Sequence, residues 1–123
     1  MSEWINRQAL LANTGGDREL AAEVLEIFRT QVETWGRMLD PKDEPARWAD
    51  AAHTLKGAAL GIGASRLAEV CKIAETTGRS DPPPSLTMAA VRINDIRDCL
   101  LPTMDEAGQL QHEFAQFSEF RAS

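Results

Sequence analysis

Ala51-Ala52-His53-Thr54-Leu55-Lys56-Gly57-Ala58-Ala59-Leu60-Gly61-Ile62-Gly63 is the stretch on which the reading of this chain turns. Its apolar positions recur at helical steps, with Trp48, Ala51, Leu55, Ala58, Ala59 and Ile62 on one stripe. On a wheel with His53 at zero, that stripe falls between about 140° and 240°. His53 therefore stands opposite the buried side, among small or short neighbours including Ala49, Asp50, Gly57 and Leu60. Gly57 costs a helix interior about 1 kcal/mol against alanine. It is read either as clearance for a bulky partner beside His53 or as a helix-packing or chance surface glycine. Lys56, one turn after His53, puts a cation near the imidazole. Taken alone it reads equally as a solvated surface lysine.

Helices extend outward from this segment on both sides, and no run has the period-two alternation of a strand. Pro45 suits the first position of the central helix, and Gly61 and Gly63 predict the turn that ends it. Upstream, Ser2 is placed to cap a short helix that stops before Asn13-Thr14-Gly15-Gly16, and Asp17 to cap a second. Leu20, Val24, Ile27, Phe28, Gln31, Trp35 and Met38 give that second helix its inward stripe. Downstream, Ser65 is placed to cap a fourth helix with Leu67, Val70, Cys71 and Ala74 inward, ending near Gly78. Ser80-Asp81-Pro82-Pro83-Pro84 cannot continue a helix. Ser85 then caps a fifth, carrying Leu86, Ala90, Ile93, Ile96 and Leu100. Pro102 interrupts the pattern, and Thr103 followed by Glu106 matches a capping box, predicting a new helix there. Ala107, Leu110, Phe114 and Phe117 continue the spacing through this C-terminal extension. Three of the four phenylalanines lie in the last ten residues, so the tail packs either on its own bundle or on a dimer or partner surface.

These elements predict an all-α, antiparallel up-down four-helix bundle with a short N-terminal helix and a C-terminal helical extension. One domain spans 1–123, with its core at about 5–101 and the extension at about 103–120. The 123 residues carry a formal net charge of −6. An acidic balance speaks against wrapping a nucleic-acid backbone. No apolar run reaches the roughly 18–20 residues of a membrane span, and the N-terminus has no secretion-signal layout. Two cysteines 28 positions apart form neither a disulfide framework nor a metal knuckle. The expectation is a cytoplasmic protein, a monomer unless the extension mediates a dimer.

The hairpin geometry adds a carboxylate. With the turn centred on Ala64, positions summing to about 128 lie level across the two helices. Glu75 then sits level with His53, and Lys72 with Lys56. A carboxylate that accepts the Nδ1 proton leaves Nε2 as the nucleophilic nitrogen. One histidine, one carboxylate and two lysines make a poor hydrolase but a reasonable phosphoryl acceptor.

His53-Thr-Leu-Lys56-Gly57-Ala-Ala-Leu-Gly-Ile-Gly63, followed by Leu67, Cys71 and Glu75, closely resembles the histidine-containing phosphotransfer (HPt) domains of bacterial two-component phosphorelays. The resemblance covers roughly residues 5–101, including the Gly-Gly-Asp start of the second helix and Phe28. It implies that His53 accepts a phosphoryl group from a receiver-domain aspartate or a histidine kinase and passes it to another response-regulator receiver. Lys56 matches the lysine that neutralises the phosphate. Gly57 matches the glycine that allows close approach, and Glu75 a position that hydrogen-bonds the ring. Ala58-Ala59 stand where the family often has serine, and Ala74 where leucine is common. The expected partners are receiver domains and a sensor or hybrid histidine kinase, met through Ala49, Asp50, Leu60 and Ala64. No independent catalysis and no resident cofactor are implied, Mg2+ belonging to the receiver. A stand-alone carrier is the simpler expectation, with a piece of a hybrid kinase as the alternative.

Two other readings stand beside this one. A metal site drawn from His53, Cys71, Glu75, Cys99 and His112 conflicts with the wheel, which turns Cys71 inward and His53 outward. Both cysteines read as small core residues, and His112 as a solvated one. A non-phosphorylated helical adaptor (a pseudo-HPt) would bind the same partners but lack the histidine.

Overall fold

A computed structural model describes residues 3–122 of the backbone and the side chains of residues 3–116. Five helices follow one another: α1 (Arg7–Asn13), α2 (Arg18–Gly36), α3 (Pro45–Gly61), α4 (Ser65–Gly78) and α5 (Leu86–Ala122). There is no strand among the described residues. Helices α2 to α5 form the up-down bundle, in which α3 packs on α4, α4 on α5, α5 on α2 and α2 on α3. The centre is filled by Trp48, Phe28, Leu25, Leu55, Leu67, Ile93 and Ile96, none more than 1% exposed.

Local chemistry explains most helix ends. Asp17 caps α2 by accepting from Leu20 N, and Pro45 opens α3 as expected. Ser85 Oγ accepts from Met88 N at 3.1 Å. α1 is capped by Asn6, whose Oδ1 accepts from Ala9 N. Ser2, expected in that role, lies outside the described residues. Ser65 is not a cap either. It is the first residue of α4, and Ala64 holds the cap position without a side-chain bond.

The turn between α3 and α4 is held from outside. Gly63 has φ +76, and a Cβ there would meet the Asn6 carbonyl at 2.7 Å. Its own carbonyl accepts from Asn6 N at 2.8 Å, and Gly61 O accepts from Asn13 Nδ2 at 3.2 Å. α1 therefore closes this end of the bundle, with both its ends tied to the turn.

Two helix faces and one expected helix break differ from the structure. In α2 the buried positions are Ala21, Leu25 and Phe28, while Leu20 and Ile27 are exposed. Helix contacts on two sides bury the small Ala21 and rotate the inward face by about one residue. In α5, Leu86 is exposed and Ala89 buried. Pro102 does not end the helix: α5 runs unbroken through it. Proline removes one bond, to the carbonyl of Asp98, a residue on the exposed side of the helix. Thr103, the residue expected to cap a new helix, is instead buried, its Oγ1 donating to Cys99 O at 2.7 Å.

The continuation of α5 packs on its own chain. Ala107, Leu110 and Phe114 are buried, and Arg18 of α2 stacks over the Phe114 ring at 5.5 Å. Gln111 bonds Arg29 and Glu26 of α2, each at 2.8 Å. Glu106 accepts the backbone amides of Trp4 and Ile5, and Arg7 pairs with Glu113. The side chain of Phe117 lies outside the described residues. No described helix is long and apolar enough to cross a membrane.

Candidate functional site

His53 projects from the middle of α3 with its side chain 62% exposed. α3 ends at Gly61, eight residues on, so about 12 Å of helix separates His53 from the turn. Its Nδ1 stands 2.9 Å from Glu75 Oε2 on α4. A carboxylate only accepts, so Nδ1 carries the proton. Nε2 is left as the lone-pair nitrogen, facing solvent, and no described residue bonds it. The level argument across the hairpin thus lands on the right pair.

Glu75 is the hub of the site. Its side chain is only 16% exposed. Oε1 accepts from Lys56 Nζ at 2.9 Å, while Oε2 accepts from His53 and also from Arg79 Nε at 3.3 Å. The Lys56 hydrogen bond is the chief cause holding this carboxyl below the usual glutamate range. Arg79 and the charges of Lys56 and His53 act the same way, against the opposing pull of partial burial.

Arg79, just past the end of α4, was missed in the sequence reading. Its second arm, Nη2, donates to Asp50 Oδ1 at 2.8 Å, so it links α3 to the end of α4. The Asp50 bond first, then Glu75, keeps the guanidinium above its ordinary value. Two signals pointed to it: Arg79 follows Glu75 by four residues, and its level across the hairpin is that of Asp50. Lys72, expected to complete a cationic pair, is exposed one turn before Glu75. It joins none of the site's hydrogen bonds among the described residues. The second cation is an arginine beyond Glu75 rather than the lysine before it.

Gly57 leaves open space: a Cβ there would meet nothing within 4 Å. That removes the helix-packing explanation; open space fits both clearance beside His53 and a chance surface glycine. Leu60 is 57% exposed along the same side. Ala49 and Ala64 do not belong to this surface, because both are fully buried. Ala49 is covered by the α4 end, where a Cβ on Gly78 would come within 2.8 Å of its own, and Ala64 is buried in the turn that α1 closes. The accessible part of the expected docking face is therefore Asp50 and Leu60.

The metal reading fails on placement. Cys71 is buried, its thiol pushed up to about 12 chiefly by burial. No group of three or more metal-binding side chains gathers among the described residues. Cys99 is half-buried and His112 exposed.

The family model described as Hpt domain matches residues 18–119. That span runs through the extension, beyond the boundary at about 101 drawn from the sequence. Among solved structures, the chain resembles the histidine phosphotransferase ShpA from Caulobacter crescentus with a TM-score of 0.73 and 33% sequence identity. The match covers 94% of this chain and 98% of that one. No curated protein matches.

Proposed function

The chain belongs to the Hpt domain family, and on that premise we propose that it is a phosphorelay carrier whose phosphoacceptor is His53 Nε2. In this reading His53 takes the phosphoryl group from a receiver-domain aspartate or a histidine kinase and delivers it to another response-regulator receiver in the cytoplasm. The observation that carries it is the His53–Glu75 bond, which protonates Nδ1 and bares Nε2 at the surface.

The step follows from that geometry. The Nε2 lone pair attacks phosphorus, the acyl-phosphate P–O bond breaks, and its electron pair stays on the aspartate as a carboxylate. The imidazole, still protonated on Nδ1, becomes a phosphorylated cation. Glu75 lies against that proton and stabilises the charge. Lys56, on the same face as His53, supplies positive charge to the phosphoryl oxygens. Gly57 and Leu60 leave a smooth approach for the receiver, which brings its own Mg2+. The partner supplies the catalytic machinery, and this chain supplies the acceptor.

Mixing the protein with a phosphorylated receiver domain tests this. An acid-labile, base-stable phosphate on the wild-type chain, absent from a folded His53→Gln variant, is the expected result. Label that survives this substitution overturns the assignment.

A further inference from the structure

We propose that Arg79 is a positioning residue that releases Lys56 for the phosphoryl group; this deepens the carrier reading above and rests on it. In the structure Lys56 is bound to Glu75 Oε1 at 2.9 Å, so it is occupied before any phosphate arrives. To neutralise a phosphoryl group on Nε2 it must leave that carboxylate. Glu75 is mostly buried, and stripping a half-desolvated carboxylate of its cation is costly.

The second cation on Glu75 removes that difficulty. Arg79 Nε holds Oε2 from the other side, so the carboxylate keeps a positive partner when Lys56 swings away. The two cations differ in the way this division requires. Lysine is a point charge on a flexible stem, whereas arginine is a planar fork that binds in two places at once. Here one arm of the fork is on Glu75 and the other on Asp50, one turn before His53. Arg79 is thus anchored on two helices and stays. Lys56 has Glu75 as its hydrogen-bond partner and moves. Without Arg79, Lys56 is the carboxylate's one Lys or Arg partner until the ring itself becomes cationic, and is held more firmly where the incoming phosphoryl group does not need it.

This coupling has a signature that a direct phosphate contact or a purely structural role lacks: the effect of losing Arg79 depends on Lys56. The test uses the full chain as wild type, Lys56→Gln, Arg79→Gln and the double variant. Phosphoramidate serves as the donor; its P–N bond breaks, ammonia leaves and the Nε2–P bond forms, with no partner protein required. Intact mass measured over time gives the rate of labelling. Arg79→Gln is expected to slow labelling about five-fold in the wild-type background and less than about two-fold in Lys56→Gln, within the usual range for contacting residues. Arg79→Lys, which keeps a cation for Glu75 but loses the fork that also holds Asp50, is expected to restore only part of the rate, and thermal melting of Arg79→Gln to match wild type. An equal loss in both backgrounds overturns the inference, as does an unchanged rate in Arg79→Gln. If the wild-type chain takes no label on His53, the carrier reading itself falls; if it is labelled and the coupling is absent, only the role of Arg79 falls.

Discussion

His53 and Glu75 stand 22 positions apart in the chain, yet Nδ1 and Oε2 lie 2.9 Å apart. One hydrogen bond across the α3–α4 hairpin selects which ring nitrogen is free, and that nitrogen, Nε2, is the atom proposed as the phosphoacceptor.

Removing the carboxylate is therefore expected to alter the ring before it alters the fold. Glu75→Ala should slow phosphorylation by a receiver about ten-fold, and Glu75→Gln, which keeps an acceptor oxygen but no charge, by less. Nitrogen NMR of the His53 ring checks the cause: wild type shows the Nδ1–H tautomer, and Glu75→Ala a mixture with Nε2–H. An unmixed tautomer in Glu75→Ala would refute the assignment.

The same carboxylate gives a pH dependence with a definite sign. Its pKa is lowered in the folded chain, chiefly by the Lys56 hydrogen bond, from an ordinary value of 4.5. A depressed carboxyl stabilises the fold fully above its unfolded value, and that contribution is lost as pH falls through the folded one. Unfolding midpoints in denaturant are expected to separate wild type from Glu75→Gln above about pH 5, the gap closing on acidification. A gap that widens toward acid contradicts the sign.

Gly57 separates docking from folding. A side chain there meets nothing within the molecule, and alanine favours a helix interior over glycine by about 1 kcal/mol. Gly57→Ala should melt at or above wild type. Gly57→Gln should stay folded while transfer from a receiver slows at least about ten-fold by obstruction beside His53. Equal transfer rates would remove the clearance role.

Gly78 is the opposite kind of glycine. A Cβ there would lie 2.8 Å from Ala49 Cβ and 2.9 Å from Trp48 Cζ3. Gly78→Ala should cost about 1–3 kcal/mol by overpacking the α3–α4 crossing. Denaturant melts check this, and a neutral result would mean that the helices can part there.

Much of this was legible in one dimension. The stretch from Ala51 to Gly63 carries its own register, because a 3.6-residue period puts Leu55 inward and His53 outward wherever the helix is placed. A short turn makes the next helix antiparallel, and so places Glu75 against His53. Asp17 and Pro45 announce helix starts by chemistry local to each. What periodicity could not supply was anything that depends on a third element. Ala49 and Ala64 look like exposed small residues until the α4 end covers one and the α1-closed turn buries the other. Leu20 and Ala21 exchange roles because two neighbouring helices set which side of α2 is covered. Pro102 stays within α5 because losing one exposed hydrogen bond costs less than giving up the packing of Ala107 and Phe114 beyond it.

The sequence by itself determined the helices as far as Pro102, the hairpin and the outward place of the histidine, since each follows from residues within a turn or two of one another. Only the tertiary structure decided how the charges around Glu75 are shared among Lys56, Arg79 and Asp50. A long side chain can reach any of several partners, and which one it takes depends on where the facing helix puts its oxygens.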